Sequence, residues 1–205
     1  MQTQKKVVTG TAELALRSLL FVPGNHPEKI AKVFSYGADA VIIDLEDACA
    51  VIDKPKARDT AIAALKKAHK SLGYIRINGI ATPFCFDDIK KIVGPWLDGI
   101  VLPKLEEPEQ LYTLDWTLAQ FEYQAGLKRG SIDIIPIIET GLGMTNLKSI
   151  FDKPSRVRRF AFGAGDFTRD VGLKWSSDET ELAYVRSHMV LTSRACGLEP
   201  PIDTV

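Results

Sequence analysis

Glu139 and Asp166 close two short apolar runs, D-I-I-P-I-I-E-T and R-R-F-A-F-G-A-G-D-F. In an extended strand residues i and i+2 share a face. Glu139 therefore follows Ile135 and Ile137, and Asp166 follows Phe160, Phe162 and Ala164. Two carboxylates with neither His nor Cys beside them make a hard-oxygen pair. Such a pair suits Mg²⁺, which takes one or two carboxylates and fills its remaining positions with water and substrate oxygens. A metal held there is a Lewis acid for a carbonyl and its neighbouring carboxylate. Arg76, ending the run Y-I-R-I-N-G, offers a planar fork for a carboxylate that Lys would not reproduce. Together they describe a site for a small oxo- or hydroxy-acid chelated to a metal. Asp44 and Glu46 end another run, with Asn78 beside Arg76 and Lys104 ending a further one. A single carboxylate at a strand end is ordinarily a helix cap or a surface ion pair, and Asp47, of opposite parity to Glu46, is read that way. Successive runs that all end in polar side chains point instead to a shared rim, as at the carboxyl ends of parallel strands.

That rim requires strands that run the same way. Seven apolar runs are visible, from R-S-L-L-F-V-P-G to P-P-I-D-T-V. Amphipathic stretches separate them: Pro27 to Tyr36, Lys54 to Lys70, Pro108 to Gln124 and Glu179 to Cys196, with Gly197 as the residue that ends the last. The alternation repeats at about 30 residues, the length of a βαβ unit. Parallel strands joined by crossover helices follow. A closed (β/α)₈ barrel needs eight strands and typically about 250 residues. The expectation is a TIM (β/α)8 barrel truncated after the seventh strand rather than an open doubly wound sheet, because the last run is cut short. Residues 1–14 read as a flexible arm, and 15–205 as the barrel domain without its last β/α unit.

Composition narrows the function. With 26 basic and 26 acidic side chains the formal net charge is zero, which argues against a nucleic-acid surface or a polybasic membrane face. No apolar run approaches the ~20 residues of a membrane helix, and the start of the chain lacks a signal-peptide core. A cytoplasmic protein is expected. Cys49, Cys85 and Cys196 lack C-x-x-C spacing, so neither a disulfide scaffold nor a cysteine-zinc site is expected. His26, His69 and His188 do not cluster, and the last two fall on helical stretches. Ser18 and Cys49 have no evident histidine base. G-L-G-M-T-N and G-A-G-D-F lack the third glycine of a dinucleotide fingerprint and read as tight turns at the rim. The turn F-V-P-G-N-H leads into the first helix, whose exposed N–H groups could hold an anionic group, but a plain cap by Asn25 is the favoured reading. Trp116, Phe121 and Tyr123 follow helical spacing and are expected in the core or an interface.

R-S-L-L-F-V-P-G, G-A-D-A-V-I-I-D-L-E-D-A, R-I-N-G, D-G-I-V-L-P-K, I-I-E-T and F-G-A-G-D-F, in this order, resemble the citrate lyase β-subunit-like family of the HpcH/HpaI aldolase superfamily, whose relatives include malyl-CoA lyases. The resemblance runs from Leu16 to the C-terminus. It implies a magnesium-dependent TIM barrel that cleaves or forms a carbon–carbon bond. The implied substrate is a 3-hydroxy-acyl thioester of CoA or an acyl carrier protein, such as a citryl or malyl thioester, and the products are a 2-oxo acid and an acyl thioester. It places Glu139 and Asp166 on the metal. Arg76 binds the substrate carboxylate, with Glu139 meeting substrate through the metal. Asp44 and Glu46 order water and neighbouring side chains, and either is the in-chain fallback for a proton acceptor otherwise expected in a C-terminal segment. It also implies a homo-oligomer, a trimer or hexamer. Family members are longer, and in several of them a C-terminal segment carries an acidic catalytic residue. Two other readings fit the same residues. One is a CoA-independent metal-dependent pyruvate aldolase, disfavoured because no histidine ends a strand. The other is a catalytically inactive binding or assembly subunit.

Overall fold

β-Branched residues fill β2 (Ala40–Asp44), β4 (Gly99–Leu102) and β5 (Asp133–Ile138), and every residue of the first two is buried. Strands buried on both faces belong to a parallel sheet covered on both sides. The computed structural model describes residues 16–67, 69–153 and 155–204, so the expected arm at 1–14 lies outside the described residues. With β1 (Leu19–Pro23), β3 (Leu72–Arg76) and β6 (Ala161–Phe162), these strands form one parallel sheet whose spatial order is the chain order.

That order separates two architectures. A doubly wound sheet reverses direction part-way and puts helices on both faces. Right-handed crossovers that always step the same way leave every helix on one face. The helices are α1 (Pro27–Val33), α2 (Lys54–Leu65), α3 (Cys85–Ile92), α4 (Pro108–Gln124), α5 (Gly141–Thr145), α6 (Leu147–Phe151), α7 (Ala164–Asp170) and α8 (Ala183–Ala195). The large cluster between them and the sheet includes Val41, Ile43, Ile75, Ile100, Ile134 and Ile138. The opposite face has its own smaller cluster, of Ala40, Ile42, Tyr74, Val101, Ile135 and Ile137. A face without helices is kept dry when the sheet curls over it. The result is a curled parallel half-barrel.

Tyr74 shapes the inside. It faces Gly99 directly in register, and a Cβ at position 99 would overlap its ring, so only glycine fits there. Its hydroxyl donates to Asp133 at 2.9 Å, and the buried Arg159 donates to the same carboxylate at 3.1 Å.

Several expectations need correction. The seventh run forms only a parallel bridge, Ile202 to Ala161, beside a two-residue β6. Phe160 and Phe162 face the helices and Ala161 faces the interior, so the parity assigned to the sixth run is inverted. α1 and α2 end at Val33 and Leu65, short of Tyr36 and Lys70. His69 is therefore off the helix; it stacks on Phe34, with ring nitrogens 3.3 Å and 2.6 Å from the carbonyl oxygens of Leu65 and Ser71. The last helical stretch breaks into a 3₁₀ turn (Thr180–Leu182) and α8, after Glu179 takes φ 53°. Gly197 ends α8 in the left-handed region, as expected. Trp116 and Tyr123 are exposed, which removes them from the core though not from an interface, because α4 turns Leu111, Leu114 and Leu118 to the sheet instead. Asn25 makes no helix cap; His26 takes that position, and Asn25 donates to Asp53 at 2.9 Å.

Ile43 is fully buried between β2 and the helices. Ile43→Ala should cost about 2–5 kcal/mol, read as a lower urea midpoint at unchanged slope. A loss below about 0.5 kcal/mol would place the outer core elsewhere.

Candidate active site

The inward parity of β2 and β3 brings Asp44 and Arg76 together. They are direct partners in register. Arg76 Nε and Nη2 donate to the two oxygens of Asp44 at 2.6 and 2.5 Å, a bidentate pair. Two backbone donors, the N–H groups of Glu46 and Ala48, complete Asp44 at 2.9 and 3.0 Å. Burial alone would raise the Asp44 carboxyl, but Arg76 and the two amides outweigh it and hold it below the usual range. Burial likewise works against the Arg76 charge, yet Asp44 and Glu46 raise its pKa further.

Glu46 stands just past the end of β2. Its Oε1 accepts from Lys104 Nζ at 2.6 Å, and Arg76 Nη1 lies 3.1 Å from its Oε2. That contact is out of line for a hydrogen bond, so Oε2 is buried with no hydrogen-bond partner. Burial raises the Glu46 pKa, with Lys104 and Arg76 opposing it.

Lys104 was expected at the end of β4. The strand stops at Leu102, and Lys104 has φ 51°, a left-handed conformation costing a non-glycine residue about 1–2 kcal/mol. The turn aims its N–H at Glu139 Oε1, 2.8 Å away, while its ammonium crosses to Glu46. Asp47 receives the same ammonium at 3.4 Å, as the surface ion pair its parity implied.

Glu139 follows the last residue of β5 and is buried. A Cβ on Gly163 would come within 2.5 Å of Glu139 Oε2, so that glycine is a cradle for the carboxylate. Burial pushes Glu139 up to about 7, and Glu46 and Asp166 push the same way. Asp166 reaches this neighbourhood by a different route from the one expected. It lies in the first turn of α7, not at a strand end, and pairs with the exposed Arg169 at 3.0 Å. Its side chain is 27% exposed, the wettest of the acidic group Asp44, Glu46, Glu139 and Asp166.

Above the Arg76–Asp44 pair lies a cleft of about 240 Å³ lined by Phe21, Val22, Pro23, Asp44, Ala48 and Arg76. The Phe21 ring lies 5.2 Å from the guanidinium. Phe21 and Pro23 were not singled out as site residues, although alternation from Leu19 along β1 puts both on the inner face.

The chain matches the family model for HpcH/HpaI aldolase/citrate lyase over residues 17–205. It belongs to this family. Citrate lyase subunit beta from Leuconostoc mesenteroides subsp. cremoris is 34% identical over 191 residues, covering 92% of this chain and 63% of that relative. L-malyl-CoA/beta-methylmalyl-CoA lyase from Rhodobacter capsulatus is 32% identical over 162 residues, 77% of this chain and 51% of the relative. Among solved structures, the citrate lyase beta subunit from M. tuberculosis complexed with oxaloacetate and magnesium is 27% identical at TM-score 0.71, covering 90% of this chain and 76% of that one. The chain spans a little under two thirds of the length of the citrate lyase relatives it matches.

The Asp44–Arg76 pair sets a pH dependence. Because Asp44 is held below its ordinary 3.8, its stabilisation is present above that value and lost as pH falls through the folded pKa. Asp44→Asn should lack this acid limb and lose up to about 3 kcal/mol at neutral pH, since the partly buried Arg76 is left without its carboxylate. Urea melts from pH 3 to 7 on both proteins check it. Parallel profiles would show that the pair contributes nothing.

Proposed function

We propose that the chain is the catalytic barrel of a Mg²⁺-dependent carbon–carbon lyase that cleaves or forms a 3-hydroxy-acyl thioester, such as citryl- or malyl-CoA or its acyl carrier protein counterpart. The products are a 2-oxo acid and an acyl thioester. The observation that carries this reading is the rim itself: a partly buried arginine fork beside a group of carboxylates, in a member of this family. The relatives support it, since several are named citrate, citramalyl-CoA or malyl-CoA lyases. The same reading makes residues 15–205 one domain and the curled sheet part of a (β/α)₈ barrel, assembled as a trimer or hexamer.

Glu139 and Asp166 are the proposed metal ligands. Among the described residues no three His, Cys, Asp or Glu side chains form a cage, so a cation held by these two would draw its remaining ligands from water and substrate. Glu139 fits the part: Oε1 is oriented by the Lys104 N–H, and Oε2 rests against the Gly163 cradle. Bound there, Mg²⁺ supplies Lewis-acid polarisation of the 2-oxo acid. Arg76 binds a substrate carboxylate with the donors Asp44 leaves free, and Phe21 walls that side of the cleft. Of the two candidates for proton acceptor, Glu46 is the better. Asp44 is committed to four donors, whereas Glu46 keeps one oxygen without a hydrogen-bond partner and has a raised pKa.

Glu139→Ala and Asp166→Ala should each lower Mg²⁺-dependent cleavage of malyl-CoA or citryl-CoA by about 10³-fold or more, with circular dichroism unchanged. Wild-type rate in either variant removes it from the metal. Gly163→Ala should weaken Mg²⁺ binding in calorimetry without removing a ligand, and an unchanged affinity would dismiss the cradle. Arg76→Lys should raise KM more than it lowers kcat, because one ammonium replaces a fork.

A further inference from the structure

Lys54 opens α2 on the helix-facing side of the β2–α2 connection, outside the cleft. It is only 4% exposed, and lysine is almost never buried so deeply without a partner. Its three ammonium hydrogens go to three neutral oxygens: Leu45 O at 2.6 Å, Asn78 Oδ1 at 2.7 Å and Glu46 O at 2.9 Å. Asp88 stands one residue removed. It accepts from the Asn78 amide at 2.6 Å and backbone N–H at 2.9 Å, and from Arg58 Nε at 2.6 Å. The Phe84 ring, 5.5 Å from the ammonium, covers it.

The Leu45 carbonyl and the Glu46 N–H belong to one peptide group. On one side that group accepts from Lys54 at 2.6 Å and, at the longer 3.1 Å, from the Asn78 amide; on the other it donates to Asp44 Oδ1 at 2.9 Å. Asp44 in turn holds Arg76. A buried cation on the carbonyl oxygen polarises the peptide and strengthens its N–H as a donor. The line therefore runs ammonium, peptide, carboxylate, guanidinium, from the outer core into the cleft.

We propose that Lys54 is a positioning residue which, through the Leu45–Glu46 peptide, locks the Asp44 carboxylate and so sets the Arg76 fork for a carboxylate-bearing ligand. It touches no ligand itself. The inference rests on the reading of Arg76 as the carboxylate clamp, and goes beyond it by naming what holds the clamp. A lysine that merely anchors the loop would lower stability and leave ligand affinity alone.

The test is calorimetry on the full chain with Mg²⁺ alone and with oxaloacetate plus Mg²⁺, for wild type, Lys54→Met and Lys54→Gln. Lys54→Met should weaken oxaloacetate binding by about tenfold or more, while affinity for Mg²⁺ alone changes by less than about threefold. The Glu46 amide proton should move upfield in the ¹H–¹⁵N spectrum as its hydrogen bond weakens. Unchanged oxaloacetate affinity in folded Lys54→Met overturns the proposal, as does an equal loss of Mg²⁺ affinity, which marks general collapse of the mouth. If Lys54→Met does not fold, Lys54→Gln, which keeps amide donors and loses the charge, should shift the same way, and wild-type affinity there overturns it. If wild type binds no oxaloacetate, the clamp reading of Arg76 fails by itself. The Glu46 amide then decides for Lys54, and an unmoved resonance sinks it.

Discussion

A guanidinium taken out of water must have its charge answered on the spot, and at this mouth Asp44 answers it. Arg76 and Asp44 lie opposite one another across β2 and β3, so the backbone ladder delivers both side chains to one height on one face. Two parallel N–H···O bonds then fix the guanidinium plane. Glu46 and Lys104 are arranged around that pair: the first leans on the remaining Arg76 nitrogen, and the second neutralises the first. The charges alternate around the rim, which keeps a desolvated group of acids from repelling itself apart.

Glu139 is the exception on this rim. It has an amide hydrogen bond and no bidentate cation, and two other carboxylates push against it. Burial without full neutralisation leaves a carboxylate that gains from meeting a cation. Lys104 sustains the arrangement at the expense of a left-handed backbone. Its single turn sends an N–H one way and an ammonium the other. Strain held by a surrounding structure is common where a site must be aimed.

The sheet's single direction of winding keeps packing and chemistry apart. One face meets helices and holds most of the apolar burial. The other holds a thin apolar layer, of which Ile42, Tyr74, Val101 and Ile137 are part, that gives way to charge at the carboxyl ends. The rim can then carry charge without opening the main core. Lys54 is where the two sides communicate, since its aliphatic stem starts among helix residues and its ammonium ends on the peptide beneath Asp44.

The two-residue period of a strand, counted back from the polar residues that end D-A-V-I-I-D and D-I-I-P-I-I-E, determined which side chains of β2 and β5 share a face with Asp44 and Glu139, although both faces are buried. That made Asp44 and Glu139 legible at once, and the Y-I-R run did the same for Arg76. The rhythm of apolar runs and amphipathic stretches likewise determined that the strands are parallel. It did not determine their order in space, because no local pattern says at which edge a crossover lands. Asp166 escaped parity: β6 pairs over two residues only, its phenylalanines turn to the helices, and the carboxylate arrives on a helical turn. The left-handed Lys104 and the buried Lys54 were invisible for a related reason. A lysine at a helix start looks solvated in one dimension, and only the packing of distant segments decides whether water can reach it, just as only the place of Glu139 decides that the Lys104 backbone must turn left-handed.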